Sequence, residues 1–79
     1  MDTNKMITVD YDDQKIDLLL VAHRDEDGEG FILASWWMIQ ENHLVYYSKE
    51  FRPGAITDCF RLISDFSHES AEGLIEDYS

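Results

Sequence analysis

The chain has 79 residues, 44% of them apolar and 13% aromatic, enough for one small folded domain and too few for two. Six Lys and Arg against 17 Asp and Glu give a formal net charge of −11, which opposes binding to nucleic acid or anionic membrane, where several phosphates must be met by basic side chains. With Cys59 alone there is no internal disulfide and no Cys-based zinc site, so a reducing compartment fits and stability must come from packing or association.

The N-terminus runs Met1-Asp2-Thr3-Asn4-Lys5 and reaches no apolar core of a secretory signal. The longest wholly apolar run, Leu18 to Ala22, falls far short of the roughly 20 residues of a membrane-spanning helix, and a cytoplasmic protein is expected. Met6 to Tyr11 alternates, with Ile7, Val9 and Tyr11 on one side and Thr8 and Asp10 on the other, and Asp12-Asp13-Gln14 offers a turn. Lys15 to His23 forms the second strand, Phe31 to Gln40 the third and Leu44 to Phe51 the fourth. They are joined by the acidic segment Arg24 to Gly30 and by Glu41-Asn42-His43, which makes an antiparallel meander the simplest arrangement. Pro53 suits the first position of a helix, and Ile56, Cys59, Phe60, Ile63 and Phe66 then recur at spacings of three and four on one face. Ser67 to Tyr78 reads as a short acidic second helix, capped at Ser67 or Ser70, with fraying at Gly73 as the competing reading. The fold class is α+β, an antiparallel sheet of about four strands followed by one or two C-terminal helices.

One helix covers one face of such a sheet, yet the two middle strands are apolar on both. Ile16, Leu18, Leu20 and Ala22 alternate with Leu19 and Val21, while Phe31, Leu33, Trp37 and Ile39 alternate with Ile32, Ala34, Trp36 and Met38. The second face needs a cover, from the C-terminal helix, a second copy of the chain or a partner. Trp36-Trp37 sends its two rings to opposite faces. One belongs to the core, and the other, beside Tyr46 or Tyr47, is a dimer contact or interface anchor.

No motif for chemistry survives inspection. Asp25, Asp27, Glu29 and Gly30 imitate the first positions of a calcium loop, but position twelve is Trp36 where a bidentate Glu is needed and the flanks are strands, so a solvated hairpin loop is the better reading. His23, His43 and His68 show no metal-ligand spacing, Cys59 lies on the apolar helix stripe, and Gly28-Glu29-Gly30 lacks the third glycine of a dinucleotide fingerprint and precedes a strand. No catalytic residue, metal or cofactor is assigned, and an enzyme is not expected.

The carboxylates are the remaining signal. They gather around the first turn, in the second loop as Asp25, Glu26, Asp27 and Glu29, and at the C-terminus as Glu69, Glu72, Glu76 and Asp77. Such clusters either confer solubility alone or present phosphate-like charge to a basic protein, with the apolar second face adding affinity that salt does not screen. In size, charge and lack of catalytic motifs the chain resembles small acidic inhibitors as a type: phage anti-CRISPR and anti-restriction proteins, DNA mimics, and immunity proteins against basic nuclease toxins. That resemblance implies a non-enzymatic inhibitor of a nuclease or nucleoprotein complex, acting in the host cytoplasm if phage-encoded. The resemblance carries over no residues; the chain's own charge and aromatic pattern gives the two acidic clusters with Trp36 and Trp37 as the partner-binding set. The competing reading is a homo-oligomeric structural or adaptor domain with no salt-sensitive partner.

Overall fold

The computed structural model describes residues 4–78. Four strands, β1 (Asn4–Tyr11), β2 (Gln14–Arg24), β3 (Gly30–Gln40) and β4 (His43–Gly54), form one antiparallel sheet in the order β1-β2-β3-β4, followed by α1 (Ile56–Asp65) and α2 (His68–Tyr78). The fold is α+β, as the alternation and the helical stripe predict.

Two of the three hairpins close through two-residue turns, Asp12-Asp13 and Glu41-Asn42, with φ of 52°, 58°, 50° and 66°. Positive φ at both central residues matches the right-handed twist of the flanking strands, and Asp and Asn tolerate it better than most residues. Gln14 and His43 therefore belong to strands instead of turns, pairing with Tyr11 and Gln40.

Pro53 is not the start of the helix. It lies at the end of β4, where Gly54 still pairs with Gly30, and α1 begins at Ile56 after Ala55. β4 is an edge strand, so a residue without an N–H is tolerated there, and Gly54 at φ 128° makes the turn toward the helix. At the far end of α1 Phe66 is extended, and two carbonyls, Ser64 O and Phe66 O, accept hydrogen bonds from Lys5 Nζ at 3.2 and 2.9 Å. A lysine of β1 thus supplies the positive charge that the last turn of α1 lacks. Ser67 caps α2, its Oγ accepting from the Ser70 N–H at 3.1 Å, and the helix continues through Gly73 to Tyr78.

Both helices pack on the same side. Ile7, Val9, Ile16, Leu18, Leu20, Ile32, Ala34, Trp36 and Met38 from the sheet meet Cys59 and Ile63 of α1 and Ala71, Leu74 and Ile75 of α2 in one core that buries no polar or charged residue among those described. Trp36 is 1% exposed, its ring stacked on Tyr47 at 5.4 Å and met edge-on by Tyr78 at 5.9 Å, and its Nε1 makes no hydrogen bond within the chain. The shortest extent of the molecule, 17 Å, accommodates a sheet and one helical layer about 10 Å away, with no third layer. Of the three possible covers for the second face, α2 is therefore eliminated.

The β2–β3 ladder is shorter than its neighbours. It runs from Arg24↔Gly30 to Leu19↔Ser35, whereas β1–β2 and β3–β4 continue to their turns. Past Leu19 and Ser35 the two hairpins diverge, and the Gln14 side chain bridges the gap, donating to Ile39 O at 2.9 Å and accepting from Ile39 N at 2.8 Å.

Candidate functional site

Three surfaces carry the residues singled out by the sequence. The first is the loop between β2 and β3, at the end of the sheet where α1 begins. The Asp25 carboxylate turns inward: Oδ1 accepts from the N–H groups of Asp27 and Glu29, both at 3.0 Å, and Oδ2 from Arg52 Nη1 at 3.0 Å. Burial acts to raise this carboxyl, but the N–H of Glu29, the Arg52 guanidinium and the N–H of Asp27 together hold it below the ordinary aspartate range. The bond to Asp25 in turn raises the Arg52 pKa, against a smaller opposing effect of burial. Asp25 therefore builds the loop, and Glu26, Asp27 and Glu29 are the residues it exposes. Gly28, at φ 80°, gives the bend, and its carbonyl accepts from Arg24 at 3.3 Å. The first positions that resemble a calcium loop are thus organised by protein donors.

The second surface is the helical layer. Glu69, Glu72 and Glu76 follow at spacings of three and four along α2, which packs its Ala71, Leu74 and Ile75 inward over β1, and Asp77 adjoins them. Asp58 and Asp65 of α1 bring the two helices to six carboxylates against one basic residue, Arg61. Cys59 faces the core under this layer; burial, with Asp58 adding to it, pushes its thiol pKa up, which is the setting of an inert structural cysteine.

The third surface is the uncovered face of the sheet. Trp37 is 57% exposed and tilts against Tyr46 at 4.9 Å, with Ile39 and Leu44 beside them and Met6 and Leu19 across the gap. Where β2 and β3 diverge, this face holds an open cleft of about 300 Å³ lined by Gln14, Lys15, Asp17, Trp37, Met38, Ile39 and Leu44. Toward the acidic loop, His23 stacks on Phe31 at 5.2 Å and the Arg52 guanidinium lies over Phe31 at 4.8 Å.

Charge is distributed unevenly over these surfaces. On the open face Asp10, Asp17 and Glu50 stand against Lys15 and Arg52, three against two, and each has a partner: Asp10 with Lys15 at 2.9 Å, Glu50 with Arg52 at 3.2 Å, and Asp17 accepting from Thr8 Oγ1 at 2.6 Å. The excess negative charge belongs to the turns and the helices.

The two tryptophans named from the sequence separate completely. Trp37 is available to a partner, while Trp36 is withdrawn into the core and presents nothing at the surface. Leu44 and Met6, 65% and 62% exposed, join the open face although neither stands out in the sequence; the tight turns fix their register against Ile39 and Leu19. Arg52, which ties Asp25, Glu50 and Phe31 together, carries no local sequence signal at all.

Among the described residues no three His, Cys, Asp or Glu side chains converge as metal ligands, and no helix is long and apolar enough to cross a membrane. Comparison with protein families, with curated proteins and with solved structures finds no match to this chain.

Proposed function

We propose that the protein is a non-enzymatic inhibitor that occupies a basic, nucleic-acid-binding surface of a nuclease or nucleoprotein complex. The observation that carries this reading is the segregation of charge: six carboxylates on the helical layer and three more exposed in the β2–β3 loop, against a sheet face that carries three carboxylates and two cations. A field of this kind accelerates encounter with a positive partner, and desolvated charge pairs then fix the register. The loop is braced by Asp25 and Arg52 and the helices are anchored through Lys5 and the core, so the carboxylates on them are held on rigid elements, which lowers the ordering cost of binding.

The test uses the tagged full chain to retain proteins from nuclease-treated lysate at low salt, with elution by a salt gradient. A basic nucleic-acid-binding protein should be retained, and the chain should block its binding to DNA or RNA. Two charge-reversed variants, one carrying Glu26→Lys, Asp27→Lys and Glu29→Lys and one carrying Glu69→Lys, Glu72→Lys and Asp77→Lys, identify the acidic surface used. At least one of them should weaken inhibition ten-fold or more. Asp25 stays unchanged because it braces the loop through Arg52 and the amides of Asp27 and Glu29. Retention unaffected by both variants would refute an electrostatic mechanism.

A further inference from the structure

We infer that the open sheet face is the contact surface between two copies of this chain. Met6, Leu19, Trp37, Ile39, Leu44 and Tyr46 are each between 40% and 65% exposed. At the size of such side chains they leave roughly 600 Å² of apolar surface in contact with water, at the top of the range for the largest patch of a typical monomer. With its polar rim the face approaches the roughly 800 Å² per partner of a standard protein interface.

Charge selects the occupant. A basic partner is drawn to the helices and the loop, where the excess carboxylates are, and finds little on this face to pair with. A second copy, which carries −11 of its own, is repelled least here, where three carboxylates stand against two cations and two of the three are ion-paired. A two-fold contact can also use the relief of this face, because one surface carries both the exposed Trp37–Tyr46 pair and, beside it, the cleft of about 300 Å³ at the β2–β3 divergence. Burial of both sheet faces would leave the two acidic helical layers on opposite outer sides.

Sedimentation equilibrium of the full chain between about 1 and 100 μM tests this, a range spanning micromolar dissociation constants. The mass should rise from 9.2 kDa toward twice that value. Raising NaCl from about 0.05 to 0.5 M should tighten the dimer several-fold by screening the repulsion between like-charged chains, the opposite of its effect on a basic partner. Trp37→Glu and Leu44→Glu should each weaken association about 30-fold or more. Both side chains are more than half exposed in the single chain, so far-UV circular dichroism and a cooperative melt should be retained. Thr57→Glu on the helical side should change nothing. A monomer at 100 μM in 0.5 M NaCl, or a dimer that survives both face variants, overturns the proposal. So does a monomer whose captured partner is released by Leu44→Glu, since the face then belongs to another protein. The inhibitor reading stands or falls separately, on the charge-reversed variants.

Discussion

Gly30 and Gly73 should respond to the same substitution with opposite signs. At Gly30 an added Cβ would lie 2.7 Å from Ile56 Cα, 2.8 Å from Cys59 Sγ and 3.1 Å from Ile56 Cδ1. The δ-methyl can rotate away, but the Ile56 Cα is backbone, so α1 must lift as a unit from the end of β3 and loosen Cys59 and Ile63 in the core. Overpacking of this kind costs about 1–3 kcal/mol, and a clash with helix backbone belongs at the upper end. At Gly73 nothing lies within 4 Å and the residue is helical, so alanine removes backbone freedom from the unfolded chain and stabilises by about 0.5–1 kcal/mol. For a domain of this size 1 kcal/mol moves the melting temperature by about 4–8 °C. Gly30→Ala should therefore lower it by about 8–24 °C and Gly73→Ala raise it by about 2–8 °C. Thermal melts and urea titrations followed by tryptophan fluorescence, at one fixed chain concentration so that association does not enter, measure both. A Gly30→Ala protein that melts within two or three degrees of the parent would refute the close approach of α1 to β3. A destabilised Gly73→Ala protein would refute the open surroundings assigned to that turn of α2.

Asp25→Asn should make stability less sensitive to acid. A carboxyl held below its unfolded pKa contributes stability that is fully present above the unfolded value and is lost as pH falls through the folded one. The parent should therefore lose urea resistance below about pH 4 more steeply than the variant, and parallel curves would exclude the proposed bracing of the loop. Lys5→Met should cost about 1 kcal/mol in urea titrations, because the terminal carbonyls of α1 lose a charged donor. An unchanged midpoint would show that this anchor adds nothing to the corner between the helices.

The strands were legible because each obeys a period of two between polar turns, and α1 because its apolar residues repeat at three and four. Pro53 misled because its fixed φ suits an edge strand as well as a first helical turn, and only the pairing of Gly54 with Gly30 decides between them. The exposed sheet face was legible as an excess of apolar residues over what one helical layer covers. Its composition was not, because Leu44 and Met6 acquire their neighbours from the positive-φ turns. Asp25 looked like any other acid in its cluster, since the features that set it apart, Arg52 and the loop amides, meet only in three dimensions.

The early end of the β2–β3 ladder also shapes how the chain assembles and opens. Each outer hairpin is a local unit closed by a two-residue turn, so both can form early, at small loop-closure cost, before they join. Their pairing runs from the Arg24–Gly30 end and stops about halfway along β2, with the Gln14 amide as a latch on the remainder. Release of that latch would let the two tips swing apart while the joined end and the bulk of the core stay intact, giving a small protein a low-energy breathing motion at one end only.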